Sequence, residues 1–554
     1  MAWKPDVIII GTGMGGSTFG FACARAGLKV LFLEKGRSHL HRPDALTGNF
    51  AELFFPKPEA PALKHSEILA RAGRCFEEIT DAAHPRMRRF IPFIGCGTGG
   101  SSALYGMALE RFRPEDFQPR QKHAGLAQAE SLPKAWPLAY GEFCSYYEKI
   151  ERLFGVSDGR KPNDGTTPYS AESSSPWHPA NRRLVESLRA AGLHPYRLPL
   201  ACNYQRGNDR VQSFLDAGGV KNDAATVCLR PALERYDARL FDDCEVLRLE
   251  ADRRRVKEVV CLHQGKIMRF SAETVVLAAG ALNTPRILLE SHSSLWPNGL
   301  ANRSGLVGRN LMRHYVDIYA LKTTPGDDGR GSIKELAFNN FYSGPNGAYG
   351  TVQSFGLLPP AEVLTAQLAK DLRDGPLAAA AGLLETGKPL MRSLLQRMFD
   401  GRVLLAAIVE DLPSPENRVT LSPNRDKIGR RGLRLHYRIS DGEVVRVAAL
   451  RKKLCALFKP FRPMLLKQAE NNERLAHVCG TCRYGDDPKT SVLNAACRTH
   501  DVENMFVADA SFFPTSGGTN PALTVAAGAL RAAERFTGQA VRNHVANAFA
   551  CAER

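Results

Sequence analysis

Short, wholly apolar runs punctuated by small-residue turns recur along the chain. Residues 6–10 (DVIII) form an apolar run suited to a strand covered on both faces. GTGMGG follows at 11–16, then helical spacing over 17–26 that stops at Gly27, then a second apolar run at 29–33 closing on Glu34. The same succession returns at 273–279 (ETVVLAA), which leads into GALNTP, with a helix expected over 286–290 because Thr284-Pro285 suits a helix start. It returns again at 505–508, followed by Asp509, a glycine-rich loop, Asn520-Pro521 and helical spacing over 522–536. The pattern predicts an α/β fold whose parallel sheet is assembled from interleaved segments of the chain.

Between those segments the patterning differs. Residues 37–90 read as loops with short helices, and 111–200 as helices and loops interrupted by a polar excursion at 160–178. Residues 237–249 and 257–263 read as a β-pair, with 266–271 as a third strand. After a turn-rich connector, GLVGRNLMRH at 305–314, strand-like stretches at 337–342, 350–356, 403–410, 418–421 and 433–439 predict a mainly antiparallel sheet. A helical excursion over 360–399 interrupts it. The end of that excursion, 388–399, sets Leu390, Met391, Leu394, Leu395 and Met398 on one face, flanked by Lys388, Arg392 and Arg397. It reads as an ordinary docked helix or as a surface helix that touches a membrane or a lipophilic substrate. The expected organisation is a cofactor domain in three parts (1–115, 201–310, 471–540), a mostly helical covering segment (116–200), a substrate domain (311–470) and a tail (541–554).

Composition changes this picture little. The chain has 554 residues, 44% hydrophobic and 24% charged, which suits a multidomain globular protein and argues against disorder except at the ends. The net charge of +17 is spread as single and paired basic residues among acids, which argues against a nucleic-acid tract. No apolar run is long enough to span a bilayer, and the N-terminus has no signal-peptide pattern, so a cytoplasmic or peripheral-membrane location is expected. Thirteen cysteines, an odd number, point to reduced buried thiols.

The chemistry lies in the turns. In the first, Gly11 permits a tight turn, Gly13 lets a pyrophosphate approach the backbone, Gly16 allows close helix packing, and Glu34 can accept ribose hydroxyls. The acid favours an unphosphorylated ribose and does not separate FAD from NAD. Gly95, Gly97, Gly99, Gly100, Ser101 and Ser102 form a second small-residue loop between IPFI and MAL. Two such loops suit a flavin enclosed along its length. Near the end, His477 precedes a Gly-Thr turn and Asn520 precedes a helix, so one imidazole and one carboxamide can share a pocket. Cys479 and Cys482 form a C-x-x-C without the following histidine of a haem site or a second pair for zinc, and no metal site is expected. Glu410-Asp411 ends a strand and reads as a substrate contact or an arginine's ion-pair partner, not as catalytic.

In this order the motifs resemble the glucose–methanol–choline oxidoreductases, FAD enzymes that oxidise alcohols. The resemblance covers nearly the full length and rests on GTGMGG, GCGTGGSSALYGMAL at 95–109, AAGALNTPRILL at 278–289, GLVGRN at 305–310 and the stretch 477–525. GGSSALYGMAL is most similar to the sterol-oxidase branch; HVCGTCRYGDDPKTSVLN and GGTNPALTV are similar to bacterial alcohol and sugar dehydrogenases. The resemblance implies that His477 is the active-site base and Asn520 the second catalytic position. It implies cofactor contacts from Gly11, Gly13, Met14, Gly15, Gly16, Glu34, Gly97, Gly100, Ser101 and Ala279. It further implies that the Val246 backbone meets the adenine, and that Asp509, Ala510 and the helix after Pro521 meet the pyrophosphate and isoalloxazine. No histidine stands at 101–104, where some members attach the flavin, so the FAD is expected to be noncovalent. His314, His436 and His500 are read as surface or core histidines, which leaves His477 to act largely alone. The implied activity is oxidation of a small-molecule alcohol at its CH–OH group, with electrons leaving to a quinone or cytochrome. An oxygen-using oxidase and a non-redox FAD lyase are the alternatives.

Overall fold

Val7–Ile10, Val30–Leu33 and Thr274–Leu277 are strands buried along their whole length, as their unbroken apolar runs require. With Arg239–Phe241 and Met505–Val507 they form a five-stranded parallel sheet in the order 505–507, 274–277, 7–10, 30–33, 239–241. The structure is a computed structural model that describes residues 3–55, 65–84, 87–156, 176–207, 210–323, 334–344, 348–356, 360, 363–364, 398, 401–426, 429–467, 475 and 477–552. The expected α/β class, with a second, antiparallel sheet, is the one found.

The helix Met14–Arg25 leaves the first strand through the glycine turn and packs against the long helix Ala522–Ala552. It begins inside the glycine motif, earlier than the apolar spacing suggests. At Gly15 a Cβ would stand 1.5 Å from the carbonyl oxygen of Ala508, so this position holds the opening turn against the last strand of the sheet.

Two expectations need correction. The stretch 237–249 is not one strand. Arg239–Phe241 joins the parallel sheet, the chain reverses at Asp243 with φ +49°, and Cys244–Ala251 then pairs antiparallel with Val256–His263. Aspartate tolerates that left-handed conformation, and alternation alone cannot report which sheet a strand joins. The second helix spans Gly280–Glu290, with Pro285 inside it and not at its start. Proline leaves the carbonyl of the fourth residue before it without an N–H; here that carbonyl, on Ala281, accepts from Thr481 Oγ1 at 2.8 Å.

A six-stranded sheet of antiparallel pairs runs in the order Met464–Lys467, Tyr315–Lys322, Arg402–Val409, Val352–Gly356, Leu336–Phe338, Tyr196–Arg197. Its buried face packs on Val447, Leu450 and Leu454 of the helix Asp441–Leu457 and on Leu184, Val185 and Leu188 of Pro179–Ala190. Arg418–Arg425 and Arg431–His436, expected in this sheet, lie instead in a mixed four-stranded sheet with Ile79–Asp81 and Arg88–Phe90. Those partners are three residues long, ITD and RRF, too short for any period to mark them as strands. The stretch 388–399 lies outside the described residues except Met398, which is exposed. Among the described residues no helix is long and apolar enough to cross a membrane.

Candidate active site

A cleft opens at the C-terminal ends of the parallel strands, lined by Ile10, Gly11, Leu33, Glu245, Val246 and Ala279 among others. Crevices at this position hold dinucleotides in doubly wound sheets. On the side-chain side of Gly13 no atom lies within 4 Å of where a Cβ would stand. The helix that starts at Met14 has no side-chain cap and no acid in its first turn, which leaves its first N–H groups for an anion. The second glycine loop closes over this point, since a Cβ on Gly100 (φ +51°) would come 3.0 Å from Gly13 Cα. Ser101 Oγ supports that loop by accepting from Gly95 N at 3.0 Å. These features fit a pyrophosphate-bearing cofactor.

Glu34 is more heavily engaged than the sequence suggests. Its Oε2 accepts from Thr12 N at 2.9 Å and Thr12 Oγ1 at 2.7 Å, and its Oε1 from Gly36 N at 2.9 Å and Gly97 N at 3.1 Å. The buried carboxylate ties the two glycine loops together, and accepting a ribose hydroxyl requires one of these donors to let go. Asp509 is likewise committed. Its Oδ2 accepts from Gly280 N at 2.9 Å and Thr284 Oγ1 at 2.5 Å, and its Oδ1 from Ser511 N at 2.8 Å. Its carboxylate therefore joins the second and third segments of the parallel sheet. The Ala510 carbonyl accepts from Gly480 N at 3.0 Å, and that of Pro521 from Val525 N at 2.9 Å as the last helix opens.

The histidine reading changes most. Met312 and Cys479 exchange two backbone hydrogen bonds of 3.0 Å each. In antiparallel register, the residue two beyond Met312 faces the residue two before Cys479, so this bridge delivers His314 to His477. Their Nδ1 atoms are 2.9 Å apart, and His314 Nε2 is 2.8 Å from the Gly517 carbonyl oxygen. A carbonyl oxygen only accepts, so His314 carries its proton on Nε2. Its bare Nδ1 then accepts from Nδ1–H of His477, and His477 is left with a bare Nε2. Burial pushes His314 down to about 4. Burial, then His314 and Lys334, hold the half-buried His477 well below the ordinary histidine value. His314 is therefore not a default core residue, and His477 does not stand alone. His436 and His500 bond Thr420 Oγ1 and Ser491 Oγ at 3.0 and 2.9 Å.

Asn520 accepts through Oδ1 from Gln353 Nε2 at 2.9 Å, which leaves its Nδ2 as the donor. Three adjacent strands of the antiparallel sheet clamp the loop before it. His314, one residue before Tyr315–Lys322, donates to the Gly517 carbonyl. Asp411, past the end of Arg402–Val409, donates its N–H to Ser516 Oγ at 3.0 Å. Thr351, just before Val352–Gly356, donates to the Gly518 carbonyl at 2.8 Å. Glu410 pairs with Lys122 Nζ at 2.5 Å and His123 Nε2 at 3.0 Å, a lysine and a histidine where an arginine was expected. Asp411 accepts from Tyr437 and Tyr315 hydroxyls at 2.7 and 2.8 Å, and burial raises it to about 7. Cys479 and Cys482 are fully buried free thiols held high by burial, the opposite of a reactive pair. Among the described residues no cluster suited to a metal occurs.

Two family models, both described as GMC oxidoreductase, match the chain, at residues 6–316 and 413–529. The chain is 30% identical to paromamine 6'-oxidase of Streptomyces fradiae, over 98% of this chain and 93% of that protein. It is 25% identical to 2-methyl-1,2-propanediol dehydrogenase of Mycolicibacterium austroafricanum, over 96% and 95%. Its fold matches pyridoxine 4-oxidase from Mesorbium loti at a TM-score of 0.60 and 18% identity, over 96% of this chain and 99% of that one. With the glycine loops, the cleft and the histidine-bearing turn in place, the chain belongs to the GMC oxidoreductases and is an FAD-dependent oxidoreductase acting on alcohol or sugar CH–OH groups.

Proposed function

We propose that His477 is the base that takes the proton of the substrate hydroxyl, with Asn520 as its hydrogen-bonding partner, and that the electrons leave to a non-oxygen acceptor. The observation that carries the first part is the chain from His477 through His314 to the Gly517 carbonyl, which leaves Nε2 of His477 free to receive a proton. FAD, when bound, supplies the acceptor for the hydride. On taking the proton, His477 keeps its Nδ1–H on His314 and needs no reorientation. Asn520 Nδ2 donates to the oxygen as it gains charge, while Gln353 holds the other end of the amide. The start of Ala522–Ala552 adds a positive dipole end beside the same loop. Contacts of the remaining named glycines, Ser101, Val246, Ala279, Asp509, Ala510 and Pro521 with noncovalent FAD belong to the same proposal.

A relative named as a dehydrogenase supports a non-oxygen acceptor, which we take to be a quinone or cytochrome, and one named as an oxidase supports oxygen as the second reading. A panel of small polyhydroxylated and aliphatic alcohols mixed anaerobically with the enzyme is expected to bleach the bound flavin. Reoxidation should then be faster with a quinone analogue than with oxygen; the reverse order makes the protein an oxidase. Product formed under a persistently yellow flavin would show a lyase and remove the oxidation mechanism.

The proposal also sets a pH dependence. A base must be neutral to work, and both histidines are held below their ordinary range. The acid limb of kcat/KM, which reports the free enzyme, is expected below the ordinary histidine value of about 6.5. It belongs to the hydrogen-bonded pair and not to one ring. A limb above that value would speak against His477 as the base.

A further inference from the structure

One ion-pair lattice at the Val246 end of the cleft plays no part in the oxidation. Lys35 Nζ lies 2.5 Å from Glu77 Oε2 and 3.1 Å from Glu245 Oε1, and Arg286 Nη2 lies 3.1 Å from the same Glu245 oxygen. All four side chains line the cleft. Arg430 completes the lattice from outside. Its Nη1 is 3.0 Å from Glu77 Oε1 and also pairs with Glu245 Oε2, and its Nε is 2.9 Å from Asp426 Oδ2.

The placement of Arg430 is specific. Beyond it lies a surface hollow lined by Arg430, Arg425, Arg248 and Glu290 among others. Arg286 lines both that hollow and the cleft, and Arg430 lines the hollow while pairing with two carboxylates that line the cleft, so both arginines stand in the partition. The two carboxylate partners of Arg430 come from different parts of the fold. Glu77 leads into Ile79–Asp81 of the mixed sheet, whereas Glu245 belongs to Cys244–Ala251, which pairs with Val256–His263. Arg430 itself precedes Arg431–His436, which pairs with Ile79–Asp81. Lys35 bridges Glu77 and Glu245 through one oxygen of each, and the Arg430 guanidinium fastens the same two walls through the other oxygens, a task suited to arginine's rigid multi-donor fork.

We infer that Arg430 is a cofactor-retaining residue, which ties Glu77 to Glu245 across the adenine end of the cleft and slows the departure of FAD. It touches no reacting atom and acts through the two carboxylates. The inference rests on FAD as the occupant of this cleft. Arg430 and Glu77 are partly exposed, at 27% and 36% of their side chains, so salt should weaken the tie.

The test is the rate at which the purified holoenzyme releases FAD on dilution, followed by the fluorescence of free flavin at low and high salt. Release from the wild type should quicken with salt. In Arg430→Gln, release at low salt should be about 10-fold faster, the worth of one hydrogen bond to a charged group, with a weaker response to salt. Arg430→Lys, which keeps the charge and loses the fork, should fall between the two. Wild-type release and wild-type salt response in folded Arg430→Gln would overturn the inference. If that variant yields no folded protein, Glu77→Gln replaces it; faster release supports the tie and an unchanged rate sinks it. A wild-type protein purified without flavin that also fails to bind added FAD would remove the occupant itself, a different failure.

Discussion

The His477→Ala enzyme is expected to keep its FAD and to lose about 10³-fold in kcat/KM, within the range that a positioned general base contributes. The loss should fall on the rate of anaerobic flavin reduction at saturating alcohol, because the side chain is proposed to act on a proton in flight and not to hold the substrate. Retention of FAD is expected because neither hydrogen bond of the His477–His314–Gly517 chain involves residues 11–16 or 95–102, the two glycine loops proposed to hold the cofactor. The cavity left by the ring has His314 Nδ1 at its inner end, an acceptor awaiting a donor. Added imidazole should therefore recover part of the rate, and the recovered rate should rise with pH as neutral imidazole accumulates. Bleaching at the wild-type rate in the flavin-loaded variant would remove His477 from the mechanism.

Much of the fold is legible in the sequence, for a physical reason. A strand covered on both faces must be apolar throughout, so DVIII and ETVVLAA announce the parallel sheet without any knowledge of partners. The turns that follow must be small because backbones from distant segments meet there, as Gly15 does with Ala508. Partnerships between remote segments are much harder to read. His314 and His477 are 163 residues apart and meet through a single pair of backbone hydrogen bonds at Met312 and Cys479, too short a pairing to leave a period. The one sequence signal is their position: His314 closes the GLVGRNLMRH connector, and His477 opens the turn that pairs with it. Glu34 shows the same limit in another form. Its place at the end of the second strand was readable, but not the four donors, including Gly97 N from the second loop, that fill its oxygens.

Replacement of His314 by phenylalanine is the sharper test of the site, because it removes two hydrogen bonds and keeps a ring of similar shape. In the wild type His314 selects one tautomer of His477. Without that acceptor, the proton of neutral His477 is free to sit on either nitrogen, and the ring is free to turn about its bond to Cβ. A triad enzyme that loses the group fixing its histidine tautomer falls about 10⁴-fold with its geometry intact. Here the acceptor is a neutral ring and not a carboxylate, so it stabilises the imidazolium less, and a loss of about 10²-fold in kcat is expected, with KM little changed. His314→Asn should recover part of it, since a carboxamide oxygen can accept from His477 Nδ1–H while the amide nitrogen offers a donor toward Gly517. A general loosening of the clamped loop would behave differently. Asn520 would be displaced with it, KM would rise, and the asparagine variant, smaller than histidine, would be no better than phenylalanine. A fall in kcat that asparagine partly repairs would assign His314 the positioning role, and unchanged kcat in His314→Phe would show that His477 holds its tautomer without help.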